Sequence, residues 1–120
     1  MSRLTHHREL VVWQRAMELL KHSYDVARRL PGEERFGVAA QLRRAAVSVP
    51  SNIAEGHSRI HRAEYLNHLS MARGSLAEVE TLVDACEMLR YAQPPQLADA
   101  RDCADQIRRM LGAMLVKLRE

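Results

Sequence analysis

The chain has 120 residues, 47% hydrophobic and 28% charged, with 18 basic against 15 acidic side chains and a net charge of +3. That length fits one domain, and the apolar share excludes a disordered chain. Five Gly and four Pro are too few turn-formers for a sandwich or barrel, no apolar run nears the roughly 20 residues that span a bilayer, and two Cys make no disulfide framework.

Punctuation at Pro31-Gly32, Gly56-His57-Ser58 and Pro94-Pro95 divides the chain into four segments. In the first, Leu10, Trp13, Met17, Leu20, Tyr24 and Ala27 recur in steps of 3 and 4. A parallel row, Val12, Ala16, Leu19, Ser23, Val26 and Leu30, widens the apolar stripe and predicts a helix over about 8–30. Val38, Leu42, Ala45, Val49 and Ile53 predict a second helix over about 34–56. Its stripe keeps phase across Pro50, so a kink is expected there rather than a stop.

Leu66, Leu69, Ala72, Leu76, Val79, Val83 and Cys86 predict a third helix over about 60–91, with Gly74 inside it. Pro94-Pro95 suits the first turn of a fourth, over about 95–118, with the stripe Leu97, Ala100, Cys103/Ala104, Ile107, Leu111, Met114 and Leu118. Short connections between four such helices predict an all-α, antiparallel up-down-up-down four-helix bundle as a single domain, 1–120. Trp13, Leu42, Leu76 and Ile107 are expected in its core.

A second pattern is polar. Arg44, Ser48, Asn52, Glu55 and Arg59 step along helix 2, while Glu64, His68, Met71, Ser75 and Glu78 step along helix 3. On a solvated face these would be ordinary surface pairs, each worth a few tenths of a kcal/mol. Short Ser, Asn and Gly residues suit a closely approached surface better. In an antiparallel pair the two lines face each other, so Arg44 would meet Glu78 and Arg59 would meet Glu64.

The stretches VVWQRAMEL, QLRRAAVSVPSNIAEGHSR and EYLNHLSMARGSLAEVETLV closely resemble the family of intervening-sequence proteins encoded within bacterial 23S ribosomal RNA genes. The family's motif falls on Trp13, Gln14, Gln41, Arg43, Arg44, Ser48, Pro50, Asn52, Glu55, Gly56, Arg59, Ala72, Gly74, Ser75 and Glu78. Tyr65 and Leu69 depart from it, standing where Phe is common. The resemblance covers roughly residues 8–90. It implies a small bundle that assembles as a homopentameric ring with a role at nucleic acid. A branch similar in fold, the accessory variability proteins of diversity-generating retroelements, partners a reverse transcriptase and binds nucleic acid.

Charge is uneven along the chain. Residues 1–62 hold eleven basic and six acidic side chains, and residues 63–120 hold seven and nine. Sixteen of the 18 cations are Arg, which favours bidentate contact with phosphate. With Arg44 and Arg59 engaged in the polar line, Arg28, Arg29, Arg35, Arg43 and Arg62 are the nucleic-acid contact candidates. Binding to RNA or DNA would then be driven by the backbone and weakly selective for sequence. The alternative is a scaffold ring whose partner is a protein.

Enzymatic motifs are missing: there is no Gly-rich phosphate loop, no HExxH and no GxSxG. His57, His61, Glu64 and His68 are spaced so that one zinc or nickel ion is conceivable, but exposed histidines near a helix start are the plainer reading. The expectation is therefore no metal site, no cofactor and no catalysis. The opening MSRLTHHREL has no apolar signal stretch, so a cytoplasmic location is expected, with no membrane association.

Overall fold

The structure, a computed structural model, describes residues 6–120. The first five residues of the MSRLTHHREL stretch lie outside the described residues. Four α-helices follow one another: α1 Val11–Arg29, α2 Val38–Ser58, α3 Arg62–Met88 and α4 Pro94–Arg119. Each helix packs against its sequence neighbours, and α4 closes onto α1, which makes a four-helix bundle. It measures 48 × 24 × 20 Å, and the α2–α3 seam is its most extensive interface.

The helix ends follow from local chemistry. One 3-10 turn, His7–Glu9, precedes α1, closed by a reciprocal box in which Arg8 N–H donates to His6 Nδ1 and His6 N–H to Glu9 Oε1. Leu30, ahead of Pro31, is extended (φ −73°, ψ 150°), as crowding by the proline ring requires, and α1 stops there. The expected start of α2 near residue 34 moves to Val38. Residues 32–34 form a single 3-10 turn instead, and Gly37 (φ −105°, ψ −116°) is not helical. Glu34 Oε1 accepts the Val38 N–H at 3.1 Å and so caps α2.

α2 runs without interruption through Pro50, which is buried. α3 ends at Met88 rather than near residue 91, because Arg90 takes a left-handed conformation (φ 63°). Arg90 N–H then bonds Glu87 O, and Tyr91 N–H bonds Cys86 O at 2.8 Å. This is a Schellman closure with Arg where Gly is usual. α4 opens on Pro94-Pro95 behind Gln93, which forms a capping box with Gln96.

The core is aliphatic, including Leu19, Leu42, Ile53, Leu69, Leu76, Leu97, Ile107 and Leu111. On α1 the inward row is Val12, Ala16, Leu19, Ser23 and Val26. The other row lies one residue, or about 100°, around the helix and is only partly covered. Trp13, expected in the core, is half-buried and packs edge-on against His7 at 5.1 Å. Met17 of the same row is 40% exposed. Among the described residues no helix is long and apolar enough to cross a membrane.

Candidate nucleic-acid interface

The up-down topology places the α1–α2 and α3–α4 connections at one end of the bundle. There the Tyr91 hydroxyl donates to Glu34 Oε2 at 2.8 Å, tying the two connections together. Glu34 thus serves both loops. The Val38 N–H first, and then the Tyr91 hydroxyl, hold its carboxyl below its ordinary value of 4.5. A Cβ on Gly37 would stand 2.5 Å from Glu34 Oε1, so a side chain there would push this carboxyl aside.

Four of the five arginine candidates belong to this corner. Arg28 and Arg29 form the last turn of α1, Arg35 lies in the connection, and Arg43 sits in the second turn of α2. Arg43 Nη2 donates to Arg35 O at 3.3 Å, which fastens the connection to α2. Arg28 is paired with Asp25 at 2.6 Å on the surface. Arg29, Arg35 and Arg43 make no ion pair among the described residues. Arg62, at the start of α3, lies at the opposite end, a helix length of about 30 Å away. The structure therefore puts four candidates at one end of the bundle, Arg35 and Arg43 in contact, and the fifth at the other end.

The two polar lines do meet along the α2–α3 seam. Ser48 and Ser75 hydroxyls are 2.8 Å apart. Asn52 Nδ2 donates to Ser48 O and Oγ, both at 3.0 Å, and Asn52 Oδ1 stands 3.2 Å from His68 Nδ1. His68 Nε2 is 3.6 Å from Glu55 Oε2, which Arg59 Nη2 approaches at 2.7 Å. Arg59 also reaches Glu64 at 3.6 Å. The bond from Arg59, then the field of His68, lowers the Glu55 carboxyl. One continuous polar chain thus runs from Ser75 to Glu64.

The expected Arg44–Glu78 pair is not formed. Ser48 against Ser75 puts the two residues one turn further along at a common level, but both are exposed and neither has an ion-pair partner among the described residues. An ion pair in open water gains too little to fix two long side chains. Gly56 lets the helices approach: a Cβ there would lie 2.6 Å from His68 Cβ and 3.1 Å from Tyr65 Cδ1.

The four residues with ligand-like spacing are separated by this packing. His57 is buried edge-on to Tyr65, with ring centroids 5.9 Å apart, while His68 belongs to the polar chain. Among the described residues no three His, Cys, Asp or Glu side chains gather as a metal site. Cys86 and Cys103 are buried free thiols, and burial pushes both thiol pKa values up.

Two features escape the sequence patterns. The Glu34–Tyr91 tie joins residues 57 apart and has no periodic signal. Phe36, the chain's one Phe, is 85% exposed beside Arg35. Its place between Arg35 and Gly37, outside every apolar stripe, was the available clue.

The search of curated proteins gives no match. Among solved structures, a protein of unknown function from the S23 ribosomal protein family of Bacteroides thetaiotaomicron VPI-5482 superposes with a TM-score of 0.80 at 22% identity, covering 88% of this chain and 98% of that one. At that identity the likeness establishes the fold. The family described as 23S rRNA-intervening sequence protein matches residues 8–113, nearly the whole bundle, and this chain belongs to that family.

Proposed function

We propose that this chain is a non-enzymatic, homo-oligomeric accessory protein that associates with nucleic acid through the α1–α2 corner. The observation that carries the reading is the gathering of Arg28, Arg29, Arg35 and Arg43 there, three of them without a carboxylate partner among the described residues. Cations held this way are available to phosphate, whereas Arg59, Arg101 and Arg108 are each engaged by acidic side chains. A homopentamer is the assembly proposed. Five chains of +3 would carry about +15 on one particle, and weak contacts on a common particle reinforce one another. The partly covered row of α1 supports self-association, because Trp13, Met17 and exposed Val11 leave apolar surface for a neighbour. Two buried free thiols suit a reducing, cytoplasmic setting.

Electrophoretic titration with structured RNA, single strands and duplex DNA across a salt series tests the nucleic-acid reading. Shifts near 50 mM salt that fade steeply as salt rises are expected of binding driven by counterion release. No shift with any of the three near about 50 mM sinks the reading and leaves the scaffold ring with a protein partner. Light scattering tests the assembly. A species of 13.7 kDa at micromolar concentration overturns the oligomer.

A further inference from the structure

The exposed ring of Phe36 sits in the α1–α2 connection next to Arg35, whose carbonyl Arg43 holds. Arg35 Cζ lies 5.2 Å from its centroid, covering one face with a guanidinium. The loop that carries the ring is fixed at three points: Arg43 holds Arg35 O, Glu34 caps Val38, and Tyr91 holds Glu34. The folded chain leaves this 85% exposed ring uncovered on a braced loop, where its free face is open to a ligand. Beside it, reached through the same Arg43, is a cleft of about 370 Å³ lined by Tyr24, Ala40, Arg43, Arg44 and Val47.

Resting on the nucleic-acid reading above, we propose that this corner takes an unpaired stretch of nucleic acid, with one base stacked on Phe36 and adjoining phosphates on Arg43 and Arg44 over the cleft. Every base has a face that an aromatic ring can stack on, so the site does not select sequence. A base inside a duplex is already stacked on both faces and cannot reach the ring. Duplex therefore meets only the cations. Of the nearby carboxylates, Asp25 is paired with Arg28 and Glu34 is held by Val38 N–H and Tyr91, which leaves Glu33 as the one without an ion-pair partner among the described residues. Arg43 and Arg44 at this open depression supply the positive charge that the phosphates of a flexible strand require.

The test is fluorescence anisotropy on the full chain with a labelled 20-nucleotide single strand and a blunt-ended duplex without a loop at about 50 and 200 mM salt, with sedimentation on phosphatidylserine vesicles in parallel. Phe36→Ala, Phe36→Trp and Arg43→Gln/Arg44→Gln are compared with wild type, with circular dichroism to show that each folds. Expected are tighter binding of single strand than duplex and a roughly ten-fold loss on Phe36→Ala, restored by Phe36→Trp. The salt slope should stay unchanged in Phe36→Ala and become shallower in the double Arg variant. Single-strand binding unaffected by Phe36→Ala overturns the stacking site while leaving nucleic-acid association intact. Wild type that binds neither probe overturns both. Vesicle binding that depends on Phe36, without single-strand binding, overturns the proposal in favour of a lipid surface.

Discussion

Arg90 shows how one side chain works against a closure that its neighbours enforce. The Schellman bonds to Glu87 O and Cys86 O hold it at φ 63°, where a Cβ is crowded. Arg90→Gly is expected to raise unfolding stability by about 1 kcal/mol, read by urea denaturation. Glu34 gives the pH counterpart. Its carboxyl is lowered in the folded chain, first by the Val38 N–H and then by Tyr91. Its stabilising effect is therefore complete above the ordinary value of 4.5 and is lost as pH falls through the lower folded value. Melting curves should show Glu34→Gln less stable than wild type near neutrality, with the gap closing as the pH drops below that value. A gap constant down to acid pH would contradict the assignment.

At the scale of helices, two helical glycines have opposite surroundings in space. Gly56 faces α3 with no room for a Cβ, whereas nothing lies within 4 Å of one built on Gly74. Gly56→Ala should lower stability, because overpacking costs about 1–3 kcal/mol against a propensity gain near 1. Gly74→Ala should raise the stability of the isolated bundle by about 0.5–1 kcal/mol, checked in the same denaturation series. Leu76→Ala, at a site 1% exposed, should cost about 2–5 kcal/mol. The helices themselves were legible because a step of 3 or 4 between apolar residues is dictated by burial on one face. Trp13 was misjudged because two adjacent rows on α1 share that period, and only the positions of α2 and α4 decide which row faces inward. The facing of the two polar lines was legible, with Arg59 beside Glu64, since antiparallel register follows from a short turn. The unformed Arg44–Glu78 pair was not, because register sets levels along helices and says nothing about what water does to an exposed ion pair.

For the whole molecule, charge placement matters more than net charge. Arg62 lies at the end remote from the other four candidates, so a sum over the first half of the chain overstated what any one ligand would meet. Paired reversal at Arg29 and Arg43 should weaken nucleic-acid binding and flatten its salt dependence in titrations at several ionic strengths. Reversal at Arg62 should change both much less. Equal effects from the two ends would argue for a diffuse field and against a corner site.

The polar chain of the α2–α3 seam has a direction. Ser48 O is a backbone carbonyl and can only accept, so the atom of Asn52 facing it at 3.0 Å must be the amide nitrogen. The amide oxygen is then committed to His68, and in the neutral imidazole the proton must reside on Nδ1. A single carbonyl thus dictates a tautomer on the neighbouring helix, and nitrogen chemical shifts of the His68 ring would report it directly. Asn52→Asp removes the donor and sets an oxygen against the Ser48 carbonyl, while the bond from His68 Nδ1 keeps its sense, because either residue presents an accepting oxygen there.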